Sequence, residues 1–175
     1  GCAVTVVIPR YRGVEDGDEV ARFGPGRWPG CPSLRVVQKV GDSGVRFWLV
    51  DCPTCFDRAG IYGSEAHDYP DNDRRFAVLA RAALETAVAV QWRPSIVHAH
   101  DWQAGLVPAY LKYRYQRVPT LAGVPSVFTI HNLAYQGLFP DTAVPALDLG
   151  WESFTGDGLE FWGKASFLKS GINFS

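Results

Sequence analysis

Two short polar clusters stand where apolar runs end. His98-Ala99-His100-Asp101-Trp102 follows Ser95-Ile96-Val97, and His131-Asn132 follows Ser126-Val127-Phe128-Thr129-Ile130. Three of the four histidines of the chain fall in these clusters. Alternate residues of a strand share a face, so His98 and His100 point the same way. Asp101 and Trp102 then occupy the turn out of the strand. A carboxylate there accepts hydrogen bonds from sugar hydroxyls or caps the next helix. An indole offers a flat apolar face for a pyranose and one N–H donor. Asn132 supplies amide donors and an acceptor. This chemistry suits a ligand rich in hydroxyls and supplies no obvious nucleophile–base pair. His98, deepest in its strand, is expected only to hydrogen-bond a neighbour, and Trp102 to be either core or platform.

The elements that must carry these residues follow from pattern. Val4–Ile8 reads as a strand, and residues 11–33, rich in Gly, Pro and charge, as an irregular excursion. Residues 34–40 and 45–50 flank Gly41-Asp42-Ser43-Gly44 as a hairpin, and 51–72 is expected to be a loop. Helical spacing of Phe76, Leu79, Ala80, Ala83, Leu84, Ala87 and Val88 predicts a helix to Val90, capped at Asn72 or Asp73. Strands 95–100 and 126–130 bracket a helix over 104–115, and an amphipathic helix is expected over 159–170. Strand–helix alternation implies a parallel sheet with helices on both faces, and right-handed crossovers bring the strand carboxyl ends to one edge. Ligands bind at that edge in open α/β sheets.

Composition narrows the classes. The 175 residues are 47% apolar, with a formal net charge of −1 and interspersed signs. That is a globular composition with no basic stripe for nucleic acid, no polybasic membrane patch and no apolar run of spanning length. Neither G-x-G-x-x-G nor a Walker loop follows any strand. With no methionine, the chain is read as an internal fragment of a longer protein. Cys52-Pro53-Thr54-Cys55 has redox or zinc spacing. A redox pair should open a helix, whereas Phe56–Gly60 reads as a loop, and zinc needs a second pair, so neither is expected.

Further landmarks are Val6-Val7-Ile8-Pro9-Arg10-Tyr11, Asp57-Arg58-Ala59-Gly60-Ile61-Tyr62-Gly63 and Asp71-Asn72-Asp73-Arg74-Arg75-Phe76. Then come Gln103 after Trp102, Thr129-Ile130-His131-Asn132-Leu133-Ala134-Tyr135-Gln136-Gly137, Gly158-Leu159-Glu160-Phe161 and Phe167-Leu168-Lys169-Ser170-Gly171. In this order the chain resembles the N-terminal catalytic domain of bacterial glycogen (starch) synthases. The resemblance implies a Rossmann-like α/β domain, the N-terminal half of a GT-B glycosyltransferase. Residues 1–175 would be part of that domain, without the upstream donor loop or the C-terminal domain, and inactive alone.

It further implies retaining transfer of glucose from ADP-glucose to the non-reducing end of an α-1,4-glucan (glycogen or a maltooligosaccharide). No cofactor, metal, nucleic acid or membrane is implied, and a bacterial cytoplasmic enzyme is expected. The sequence leaves oligomeric state open. By motif, His131 would contact the transferred glucose and Asp101 would bind in the same pocket. Trp102, Asn132 and Tyr62 would line the acceptor side, with Tyr135 and Gln136 as weaker candidates. Glu160 is expected to order its loop, with Lys164 and Lys169 as surface or loop-anchoring charges. Cys52 and Cys55 depart from the family, whose members often carry His and an aromatic residue there. Two rival readings are a metal-dependent hydrolase using His98, His100, Asp101 and His131, and a non-catalytic carbohydrate-binding domain.

Overall fold

The computed structural model describes residues 2–64 and 67–175, so Glu65 and Ala66 of the acidic loop before His67 lie outside the described residues. The chain divides into two units, 1–90 and 91–175.

In the first unit, β1 (Thr5–Pro9), β2 (Asp18–Phe23), β3 (Leu34–Val40) and β4 (Arg46–Asp51) form one sheet in the order β1-β4-β3-β2. β1 runs parallel to β4, whereas β3 pairs antiparallel with both β4 and β2. The hairpin is where the sequence placed it, and its turn closes through Gly41 N–H to Val45 O at 2.9 Å. The sheet is therefore mixed rather than purely parallel. β2 corrects the expectation of an irregular 11–33. Its Ala21 and Phe23 point inward, while its charges and those just before it pair outward. Arg22 bonds Glu19, Arg35 bonds Asp16 at 2.7 Å, and Lys39 bonds Glu15 at 2.7 Å. A charged edge strand reads as loop because one face is all solvent.

A single helical turn, α1 (Pro53–Phe56), follows β4, and α2 (Asn72–Ala89) covers the sheet. Val36, Val37, Val50, Phe56 and Phe76 are almost wholly buried in this core. α2 starts earlier than its apolar spacing predicts, because polar Asn72 and Arg75 are themselves buried.

In the second unit, β5 (Val97–His100) and β6 (Ser126–Thr129) pair in parallel, His98 beside Val127 and His100 beside Thr129. Between them lie α3 (Asp101–Ala104) and α4 (Leu106–Tyr113), which divide at Gly105 the helix expected over 104–115. β7 (Leu138–Pro140), β8 (Glu160–Phe161) and β9 (Lys164–Ser166) form a small antiparallel sheet, with 3₁₀ turns Asp141–Leu147 and Trp151–Ser153 before β8. α5 (Phe167–Phe174) closes the chain.

The helix expected from Leu159 therefore begins only at Phe167. Trp162 and Gly163 both take positive φ, 53° and 74°, the geometry of a two-residue hairpin turn. Ser166 then caps α5, its hydroxyl accepting Lys169 N–H at 3.1 Å. Apolar Phe161, Trp162 and Ala165 fit a helical stripe and a hairpin alike, and Gly163 decides for the hairpin. Among the described residues no helix is long and apolar enough to cross a membrane.

α5 packs on α3 and α4 at very close range. A methyl at Gly105 would sit 2.0 Å from the Phe167 carbonyl oxygen, which is backbone and cannot swing away. Gly105→Ala should lower stability by roughly 1–3 kcal/mol despite the better helix propensity of Ala. Urea unfolding measures it; a stabilised variant would contradict the close approach.

Candidate functional site at the ends of two parallel strands

The parallel register of β5 and β6 brings both polar clusters to one edge. His98 Nε2 lies 2.7 Å from Thr129 Oγ1, and His100 Nδ1 lies 3.1 Å from His131 Nε2. The His98 and His100 rings are 4.0 Å apart, and those of His100 and His131 stack at 5.4 Å. His98 makes the neighbour bond expected of it, but it is exposed rather than buried. Thr129 escaped notice in the sequence. Its signal was a hydroxyl at the last position of a strand paired with a histidine strand.

Asp101 ties the two strand ends together. Its Oδ1 accepts the His131 backbone N–H at 2.7 Å. Asp101 also takes φ of 54°, the left-handed region that Asp tolerates better than most residues. That conformation turns the chain out of β5 and into α3, and aims the carboxylate across to β6. The carboxylate braces the two strands, and α3 has no side-chain cap. A carboxylate retains capacity for donors on its second oxygen.

After β6, Asn132 Oδ1 accepts Ala134 N–H at 3.0 Å, and Gln136 Nε2 donates to Leu133 O at 2.9 Å. These bonds fold residues 132–136 into a tight exposed loop, on which Tyr135 is 64% exposed. Of the two readings open for Trp102, core or platform, its surroundings in this structure are those of the core. It is 9% exposed, its indole facing Phe139 at 5.8 Å and covered by the Gly137 backbone. A methyl at Gly137 would lie 2.6 Å from Trp102 Cε3. The Gly137 backbone thus lies close over the indole on that side.

Glu160 does order its loop, accepting Gly163 N–H at 2.8 Å, and its carbonyl anchors Lys169 Nζ at 2.6 Å. Lys164 is exposed on β9. Tyr62 belongs to the first unit, where its half-exposed ring packs on Phe76 at 6.0 Å. Its carbonyl accepts Asn72 Nδ2 at 2.8 Å. The loop around it is fastened by Arg75, a residue the sequence reading passed over. Fully buried, Arg75 donates to Cys55 O at 2.6 Å, Ile61 O at 2.9 Å and the Asn72 side chain. Among the described residues, no group of three or more His, Cys, Asp or Glu is arranged to hold a metal ion.

The model of the starch synthase catalytic domain matches residues 1–175. The chain belongs to the starch synthase catalytic domain family. Glycogen synthases from Anaeromyxobacter sp. (strain Fw109-5) and Anaeromyxobacter dehalogenans (strain 2CP-C) are 54% and 41% identical to it. Each alignment covers 100% of this chain and 37% of the relative, so the chain spans little more than a third of these relatives. The catalytic domain of starch synthase IV from Arabidopsis thaliana, solved with ADP and acarbose, superposes with a TM-score of 0.80 at 23% identity. That match covers 100% of this chain and 37% of the other. The Rossmann-like α/β architecture expected for a GT-B half is therefore the fold of this starch synthase family member.

In this setting the electrostatics of His100 matter. Partial burial first, then His98 and His131, hold its pKa below 6.5, against the opposing pull of Asp101. The imidazole is thus neutral at pH 7, and its bond to His131 has one donor and one acceptor nitrogen. The unfolded chain takes up this proton more readily, so the stability contribution is complete above pH 6.5 and is lost as pH falls through 6.5 toward the lower folded value. NMR titration of the imidazole Cε1–H signals should give His100 a midpoint below 6.5. A midpoint at or above the ordinary value would contradict the cluster.

Proposed function

We propose that the chain is the N-terminal part of a retaining glucosyltransferase that moves glucose from ADP-glucose to the non-reducing end of an α-1,4-glucan. Glycogen or a maltooligosaccharide would be the acceptor, and the bacterial cytoplasm the setting. The observation that carries this reading is the convergence of His100, Asp101 and His131 at one strand edge, in a chain matched throughout by the starch synthase family.

The chemistry asks for control of positive charge. A retaining transfer passes through an oxocarbenium-like state, which a nearby imidazolium would oppose. A cluster that keeps His100 neutral avoids that penalty. His131, fixed through its backbone by Asp101 and through its ring by His100, is held ready to bond a sugar hydroxyl. Asp101 has the charge to favour the same state. Asn132 and Gln136 supply amide groups beside them. Tyr135, rather than Trp102, offers the exposed aromatic face for an acceptor glucose. Tyr62 remains an acceptor-side residue on the strength of the resemblance. The ADP leaving group needs cations, which this reading assigns to a C-terminal domain beyond the chain.

Nothing in the geometry favours the metal-hydrolase reading over this one, since the histidines bond Thr129 and each other. In the full-length enzyme, His131→Ala should lower kcat by about 10²-fold or more while KM for glucan changes little. An unchanged kcat would remove His131 from the reaction centre.

A further inference from the structure

Cys52-Pro53-Thr54-Cys55 does what the sequence argued against: it leaves strand β4 and opens the helical turn α1. Phe56 is the end of that turn rather than the start of a loop. Cys55 N–H donates to Cys52 O at 2.9 Å. Such an i to i+3 turn keeps the two Cα atoms within about 7 Å, inside the span that a disulfide bridges. Both thiols are free, Cys52 fully buried and Cys55 8% exposed. Cys52 Sγ lies 3.4 Å from Thr54 Oγ1, within the same turn.

We propose that Cys52 and Cys55 form a peroxide-responsive dithiol that closes reversibly to a disulfide. In the first step the Cys52 thiolate attacks one oxygen of hydrogen peroxide, the O–O bond breaks, and Cys52 sulfenic acid and hydroxide result. In the second, Cys55 sulfur attacks Cys52 sulfur, the S–O bond breaks, and the disulfide forms with release of water. Two electrons leave the thiols and reduce the peroxide. An external dithiol returns them by exchange.

The surroundings support this direction of attack. The hydrogen bond from Cys55 outweighs burial and brings the Cys52 thiol down to about 6, so at pH 7 it is mostly thiolate. The same bond and burial push Cys55 up, as expected of a resolving partner that keeps its proton. Cys31, in contrast, is raised by burial. The pair also sits where a change would be felt. Thr54 O accepts Arg58 at 2.8 Å and Cys55 O accepts Arg75 at 2.6 Å. Arg58 in turn bonds Asp71, and Arg75 bonds Ile61 O. The turn therefore anchors the loop that carries Tyr62.

The test uses the intact chain. It is treated with hydrogen peroxide, residual thiols are alkylated, and tryptic peptides are weighed. Cleavage after Arg46 and Arg58 isolates both cysteines on one peptide, apart from Cys2 and Cys31. The expected product is peptide 47–58 lighter by two hydrogens and unalkylated, restored by dithiothreitol. Its formation should outpace oxidation of Cys31 by roughly tenfold at pH 7. The rate should level off above about pH 6. Cys55→Ser should instead leave a sulfenic acid on Cys52 that dimedone traps. Recovery of 47–58 with both thiols alkylated, a Cys31–Cys52 cross-link, or a rate still rising toward the ordinary thiol value would each overturn the proposal.

Discussion

The parallel pairing of β5 with β6 is the constraint on which the site depends. The four-residue register sets His100 beside Thr129, so the residues just past each strand meet at one edge. A slip of one residue would turn His98 and His100 to the other face. The Asp101–His131 bond fastens that register at its open end. A charge-assisted bond of this kind contributes on the order of 1 kcal/mol where water competes, and more where it does not. It also offsets the left-handed backbone at Asp101, a conformation retained where the surroundings fix it.

The two units solve different electrostatic problems. At the strand edge, His100 lies against both His98 and His131, and the structure lowers the proton affinity of this central imidazole rather than pairing it with a full charge. In the first unit a full charge is buried instead. Arg75 is wrapped by two backbone carbonyls, an amide oxygen and the rings of Phe56, Tyr69 and Phe76 at 5.0–5.6 Å. Burial lowers its proton affinity, yet a guanidinium stays charged. The accepting carbonyls are those of the Cys55 turn and the Tyr62 loop, so one buried cation holds the two segments together.

Much of this was legible in the residues. The hairpin, α2, β5, β6 and the shared edge follow from apolar periodicity and Gly or Pro punctuation. What escaped the sequence is instructive in physical terms. β2 hid among charges because its outward face pairs salt bridges instead of burying apolar groups. The hairpin of β8 and β9 hid because a short stripe of aromatics serves helix and hairpin equally. Trp102 was ambiguous for the reason tryptophan usually is: one ring suits a core or a ligand, and only the Gly137 backbone laid across it decides. Arg75 and Thr129 act through tertiary partners far away in sequence, which no local pattern reports. The resemblance rested on motif order more than on any one side chain, and the family model matches the whole chain.

The central claim is that the β5–β6 edge is the wall against which the sugar sits. It is tested most directly by a crystal structure of the full-length enzyme with ADP and a maltooligosaccharide bound. The account expects sugar hydroxyls within hydrogen-bond distance of the His131 ring and the Asp101 carboxylate, an acceptor ring near Tyr135, and Trp102 still beneath Gly137. Sugars bound with no contact to His131 or Asp101 would contradict it.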